Sequence, residues 1–402
     1  MSWSEEDKLM LYCSRMDMDG DIDLGVQEIL HSDLNWGYVL KEALANGVSP
    51  LLYRNLKRIN GDSIIPDEVI EELREIYFNT AASNIILLDG LGKVLKAFAD
   101  EEIPVMVLKG AALLETVYRD IGLRPMADID LLIKKEDLGR IDESLKRLGY
   151  SSPYNWSDYM DISTNLYLNT ISYIRGQDTI PIHLHPHWHI INTTVPTYTY
   201  GAKIEMDRFW LEAREAMIAG VSSLTMAPHH LLMHLSEHIL RHSYDRSILF
   251  CDIFEVINNY KDEIDWGSLI DDAVEFNLKK PVYYALYFTS KFLGAEIPKN
   301  VLAELKQLNL NYGERKVEAL ISKNRSFPEL KYLIYLVMNE RVTERIRFVW
   351  RSLFPPREMM AQRHALSTSE VSLFHYLLRM RNTFKKGLRV FTYLFKTFVL
   401  FF

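Results

Sequence analysis

Cysteine is nearly absent from this 402-residue chain: Cys13 and Cys251 are the only two. They lie too far apart for a local metal clip, and so few exclude a disulfide framework, so a reducing cytoplasm is expected. Long apolar runs are missing too. The apolar, aromatic end from Arg389 to Phe402 is shorter than the roughly 20 residues that a spanning helix requires. Met1 to Arg15 meets Glu5, Glu6 and Asp7 before any apolar run, unlike a secretory leader. No Gly-rich loop ends in Lys-Ser or Lys-Thr, no dinucleotide fingerprint occurs and no Gly-x-Ser-x-Gly elbow occurs, which removes support for P-loop ATPase and serine-hydrolase chemistry. With a net charge of −8, the chain lacks the overall excess of Lys and Arg that coats nucleic acid.

The composition is 48% hydrophobic, enough for a large core and two or three structural units. Charge is uneven: residues 341–402 hold 12 Lys and Arg against 3 Asp and Glu, a local +9 that leaves −17 for the rest. Residues 361–402 are therefore read as a basic, aromatic, amphipathic tail. Such a tail docks on the protein's own core in its commonest use, or on an anionic membrane surface or a partner.

Apolar spacing predicts helices over Leu30 to Arg54 and Asp67 to Phe98, within an N-terminal helical region 1–98. The period changes at Ile103 to Leu108, a short apolar run expected of a buried strand. A helix over Ala111 to Tyr118, a turn at Gly122 to Pro125, a second strand at Asp128 to Ile133 and a helix over Lys135 to Leu148 follow. Leu166 to Ile174 and Thr179 to Ile190 read as a hairpin about Arg175 to Asp178. From Pro228 the helical period returns, in a domain spanning 226–360. The reading is thus an α+β protein with a small mixed β-sheet over 99–225, flanking helices, and helical regions before and after.

The chemistry concentrates in Leu108-Lys-Gly-Ala-Ala112 and Arg124-Pro-Met-Ala-Asp-Ile-Asp-Leu131. Residues two apart on a strand share a face, so Asp128 and Asp130 set two carboxylates side by side. Two such charges are costly unless cations lie between them, and Mg²⁺ favours oxygen ligands shared with substrate phosphates. Gly110, at a strand-to-helix junction, would let backbone amides approach a phosphate; a plain helix-start turn is the alternative.

These segments, with His187-Trp188, resemble an uncharacterised nucleotidyltransferase family of the DNA polymerase β superfamily. Trp36, Gly47 to Leu52, Pro66 and Asn84 upstream, and Leu231 to His242, Cys251-Asp-Ile253 and Asp265-Trp266 downstream, extend the likeness over about residues 30 to 360. The resemblance implies that Asp128 and Asp130 bind two Mg²⁺ (or Mn²⁺) ions. These would bridge an NTP whose nucleoside monophosphate passes to a hydroxyl on a sugar, polysaccharide precursor, protein or RNA end. Lys109, Gly110, Ala111 and Arg124 would contact nucleotide phosphates; Lys109 and Arg124 would otherwise only balance the acids. The superfamily supplies a third carboxylate where this chain has His185. That imidazole would act as base or metal ligand, or else mark a degenerate nucleotide- or partner-binding relative. Asp178 would supply the carboxylate if the hairpin register differed. A membrane- or RNA-associated scaffold built on the basic tail is the remaining alternative.

Three further patterns are read as structural. His183, His185, His187 and His189 alternate along one strand; one or two would line the cleft and the others be surface or hairpin residues, with a row that holds Zn²⁺ or Mn²⁺ as the alternative. His230, His234 and His238 recur every four residues, a spacing that can chelate a metal, but without the Glu of the zinc-protease pattern after His230 they are read as packing and capping groups that can face the cleft. Asp17, Asp19, Asp21, Asp23 and Glu28 mimic a calcium loop, but Ile22 stands where its glycine belongs.

Overall fold

Six strands form one mixed sheet in the order β3-β4-β2-β1-β6-β5. They are β1 (Val105–Val107), β2 (Ile129–Ile133), β3 (Tyr173–Arg175), β4 (Ile182–His187), β5 (Arg214–Ile218) and β6 (Val221–Thr225). The computed structural model describes residues 3–59, 64–160, 169–176, 180–191, 204–306, 330–338, 342–364, 366 and 368–399. The protein is mixed α/β, with many helices about one six-strand mixed sheet, as the α+β reading expected.

The two central strands are apolar apart from Asp130 because both faces are covered: every residue of β1 and β2 is buried. β1 runs antiparallel to β2 and parallel to β6, while β2 runs parallel to β4. The expected hairpin forms as β3 and β4, antiparallel with Tyr173 opposite Leu184. Its expected start at 166–168 and the turn residues 177–179, Asp178 among them, lie outside the described residues. A second hairpin, β5–β6, turns through Ala219 and Gly220, both at positive φ as tight hairpin turns require.

Four short helices, Glu5–Cys13, Gly20–Leu30, Trp36–Ala45 and Ser49–Ile59, precede a 34-residue helix, Asp67–Asp100. The calcium-loop mimic falls largely in the second of these, where Asp19 caps the N-terminus by accepting from Ile22 N and Asp23 pairs with Arg58. The long helix buries Leu87, Leu91, Val94, Leu95 and Phe98 at helical spacing. Gly90 lets the sheet come close, since a Cβ there would stand 2.6 Å from Ile182 Cδ1. On the C-terminal side, helices Pro228–Arg241, Ser247–Asn259, Trp266–Glu275 and Lys279–Leu293 pack together. One hydrophobic core runs from Leu9 to Phe348 through the sheet and these helices. Helices Leu330–Met338, Val342–Leu353, Arg357–His364 and Leu373–Val399 follow, the last packed against Val342–Leu353.

Candidate active site

The acid pair stands where β2 begins. β1 ends at Val107, and Leu108 N donates to Asp130 O at 3.0 Å, so the next residues turn off beside the acids. Lys109 makes that turn with φ of 47°, a left-handed conformation uncommon for a residue with a side chain. The helix Lys109–Leu113 continues as a π-turn through Tyr118, and Arg119 leaves it at φ 53°. The loop back to Asp128 is held from the long helix, where the Asn84 amide donates to Ile121 O at 2.7 Å and to Arg124 O at 2.9 Å. Its backbone is therefore pinned although it lacks regular structure.

Asp128 and Asp130 face different surroundings. The Asp128 side chain keeps 44% of its exposure and Asp130 only 7%. Asp130 is enclosed by partners: Lys109 Nζ lies 3.0 Å from Oδ2, and His187 Nε2 lies 2.7 Å from Oδ1. Burial would raise its pKa, but the Lys109 charge and the His187 hydrogen bond outweigh that and hold the carboxyl well below its usual range. Burial pushes His187 down to about 4 against the pull of Asp130, so near neutrality His187 is an uncharged donor to the carboxylate. Burial likewise lowers Lys109.

His185 occupies the third position. The parallel register sets it directly opposite Asp130, with Nδ1 3.3 Å from Asp128 Oδ2 and 3.9 Å from Asp130 Oδ1. Asp128, Asp130 and His185 each bring a ligand atom within 4.8 Å of the other two. One cation with ligands about 2.0–2.3 Å away can bridge such a spread. The donor set fits a divalent ion, because each Asp130 oxygen keeps lone-pair capacity beyond its present partner. Of the four alternating histidines, His183, His185 and His187 lie on β4, whereas His189 lies past its end and accepts from Ile191 N through Nδ1.

Arg124 departs from the phosphate-contact expectation. Its fork is taken by Asp252 on helix Ser247–Asn259: Nε to Oδ1 at 3.0 Å, Nη2 to Oδ2 at 2.8 Å, both groups buried. Tyr118 OH donates to the same carboxylate at 2.9 Å. Burial opposes the Arg124 charge, and Asp252 more than offsets it, raising the pKa. Gly110 makes the arrangement fit, for a Cβ there would stand 2.4 Å from Arg124 Nη1. Lys109 is Asp130's counter-charge, and Ala111 is buried in the first turn of its helix.

Sequence reasoning missed Asp252 and Arg241, and read His234 as a packing group that can face the cleft. Asp252 stands in the Cys251-Asp-Ile253 stretch, but its pairing with Arg124 spans 128 residues. His234, on helix Pro228–Arg241, is buried with neither ring nitrogen hydrogen-bonded. Burial first, then the Lys109 charge, pushes it well below the usual histidine range. Arg241, one end of the same helix, contacts His238 Nδ1 at 3.3 Å, and its charge depresses Lys109, His187 and His234. The four-residue histidine spacing was the available signal in this helix, whose Arg241 charge reaches Lys109 and His187.

A family described as uncharacterised nucleotidyltransferase matches residues 32–294. The chain belongs to that family. The match ends at 294, short of the 360 that the resemblance covered. No match was found among curated proteins or solved structures. Nucleotidyl transfer is the general activity of this family, which uses nucleoside triphosphates with divalent metals.

Proposed function

We propose that the chain moves a nucleoside monophosphate from an NTP to a hydroxyl acceptor at the Asp128–Asp130–His185 cluster. One observation carries the reading: two carboxylates and an imidazole converge within 4.8 Å at a strand end in a chain of this family. Asp128, Asp130 and His185 would hold the divalent cations, which supply charge stabilisation to the attacking and leaving oxygens of an in-line displacement. His187 and Lys109 fix the Asp130 carboxylate by holding one oxygen each. Arg241 takes the phosphate-contact role, since the Arg124 fork is already filled. An imidazole beside two carboxylates suits Mn²⁺ better than Mg²⁺. The two buried free thiols accord with a cytoplasmic setting.

The test is transfer of label from each α-³²P-NTP to acceptors in a cell extract, with Mn²⁺ or Mg²⁺. Wild type is expected to label an acceptor, faster with Mn²⁺. Asp128→Asn and Asp130→Asn should each lose roughly 10³-fold, the equivalent of several kcal/mol of charge stabilisation. Arg241→Ala should raise KM for the NTP. Loss of both transfer and metal-dependent NTP binding would sink the site. Binding without turnover would favour a second reading, a degenerate nucleotide-binding relative, for which the observation is His185 in the third acidic position.

The tail supports a peripheral membrane role. Leu373, Phe374, Leu377, Phe384 and Leu388 are exposed at helical spacing along Leu373–Val399, a helix with six Lys and Arg and no Asp or Glu. Among the described residues, no helix is long and apolar enough to cross a membrane. Salt-sensitive binding to phosphatidylserine vesicles, reduced by Phe374→Ser/Phe384→Ser, is expected; equal binding by the variant would exclude that face.

A further inference from the structure

A second convergence of metal-ligating groups lies where helix Met206–Leu211 ends against the start of helix Pro228–Arg241. Glu212, His229 and His230 each bring a ligand atom within 4.8 Å of the other two. Glu212 is half exposed, while both histidines are buried. His229 Nε2 makes no hydrogen bond, although Glu212 Oε2 is only 3.1 Å away. A nitrogen and a carboxylate oxygen that approach this closely without N–H alignment are disposed as two ligands of one ion. Ligands about 2.0–2.2 Å from Zn²⁺ stand roughly 3–4 Å from each other.

His230 is fixed for the same task. Its ring stacks on Phe209 with centroids 4.2 Å apart, and Nε2 lies 3.2 Å from Asp272 Oδ2. Asp272 is in turn held by Arg208 Nη1 at 2.8 Å. A proton on Nε2 given to Asp272 leaves the lone pair on Nδ1, which is buried and makes no hydrogen bond. A carboxylate that sets the tautomer of a ligating histidine is the usual outer support of such an ion. The cation Arg208 already neutralises Asp272, which suits it to that outer place.

We propose that Glu212, His229 and His230 form a binding site for a divalent transition-metal ion of the Zn²⁺ class, with Asp272 as the group that orients His230. Two imidazoles and one carboxylate leave a fourth position for water, and the set favours Zn²⁺ or Co²⁺ over Mg²⁺. The ion joins the segment before β5 to the helix that carries His234 and Arg241, and its loss removes no group from the acid cluster. The inference stands apart from the nucleotidyl-transfer reading, because no residue is shared.

The full-length chain carrying Asp128→Asn and Asp130→Asn, stripped of metal, is titrated with Co²⁺ and followed by its visible d–d absorption, then back-titrated with Zn²⁺. One saturable Co²⁺ site, displaced by Zn²⁺ and accompanied by a rise in Tm, is expected. Glu212→Gln, at a half-exposed position that leaves the core intact, should abolish the spectrum. Asp272→Asn should weaken Co²⁺ by roughly 10- to 100-fold. The proposal is overturned if no saturable spectrum appears, as for an ordinary His–Glu ion pair, or if the spectrum and Tm rise survive unchanged in Glu212→Gln/His229→Gln.

Discussion

Asp130 and Asp252 are both buried aspartates with a cationic partner, yet their surroundings differ in one respect. Asp252 gives both oxygens to the Arg124 fork, receives Tyr118 OH as well, and is wholly enclosed. Asp130 has single contacts, to Lys109 and His187, and opens toward a half-exposed Asp128. The first carboxylate is saturated and its charge is spent on architecture; the second keeps capacity for a ligand. Arg124 and Asp128, four residues apart in one motif, therefore serve different ends, and the type of charge alone does not say which.

The comparison breaks most visibly at Asp252. Asp252→Ala strands a buried guanidinium, so unfolding in urea should show a loss of about 3–5 kcal/mol. Asp130→Asn, which keeps an acceptor for Lys109, should cost far less stability while removing transfer. If the two variants are equally destabilised, the contrast between a closed and an open carboxylate fails.

Glu255, one turn further along the helix of Asp252, sharpens it with a third kind of buried acid. Burial pushes its pKa from 4.5 up to about 7, against the hydrogen bond it accepts from Met16 N at 2.7 Å. The folded protein therefore binds a proton there that the unfolded chain releases above 4.5. That stability is full below pH 4.5 and is lost as pH rises through 7, by about 3 kcal/mol for this group. Glu255→Gln retains the acceptor and cannot ionise, so urea midpoints of the variant should vary less between pH 5 and 8 than those of wild type. Identical profiles would mean that Glu255 is charged throughout.

The smallest effect concerns the orientation of Asp130. His187→Ala should lower transfer roughly 10- to 100-fold, with His187→Gln recovering part of it through its side-chain N–H. Full activity in His187→Ala would leave Lys109 as the sole group that positions the carboxylate.

The local elements were legible in the sequence: the switch of period at Ile103, the acid pair at the start of β2 and the β3–β4 hairpin each rest on contacts close in sequence. The family likeness put His185 in the third acidic position on a neighbouring strand, but the parallel β2–β4 register that sets it opposite Asp130 was not legible in the sequence. What was not legible depends on distance along the chain. Arg124 looks like a phosphate ligand until Asp252 arrives, and nothing near residue 124 announces that partner. The β5–β6 hairpin escaped notice because its turn is Ala219-Gly220, which lacks the Asn-Gly or Asp-Gly signature, and its strands carry few apolar residues at alternate positions.

The span between Arg124 and Asp252 also sets the order in which the protein can be made. During synthesis β2 and its acids emerge well before the helix that pins their entry loop, and 128 residues separate the two halves of the lock. Helix Pro228–Arg241, with His234 and Arg241, comes late as well. A nascent or truncated chain ending before Ser247 thus holds that loop through Asn84 and leaves the Arg124 guanidinium without its carboxylate. The loop is held from both sides only once the C-terminal half has folded back, so the long-range ion pair registers the completeness of the fold.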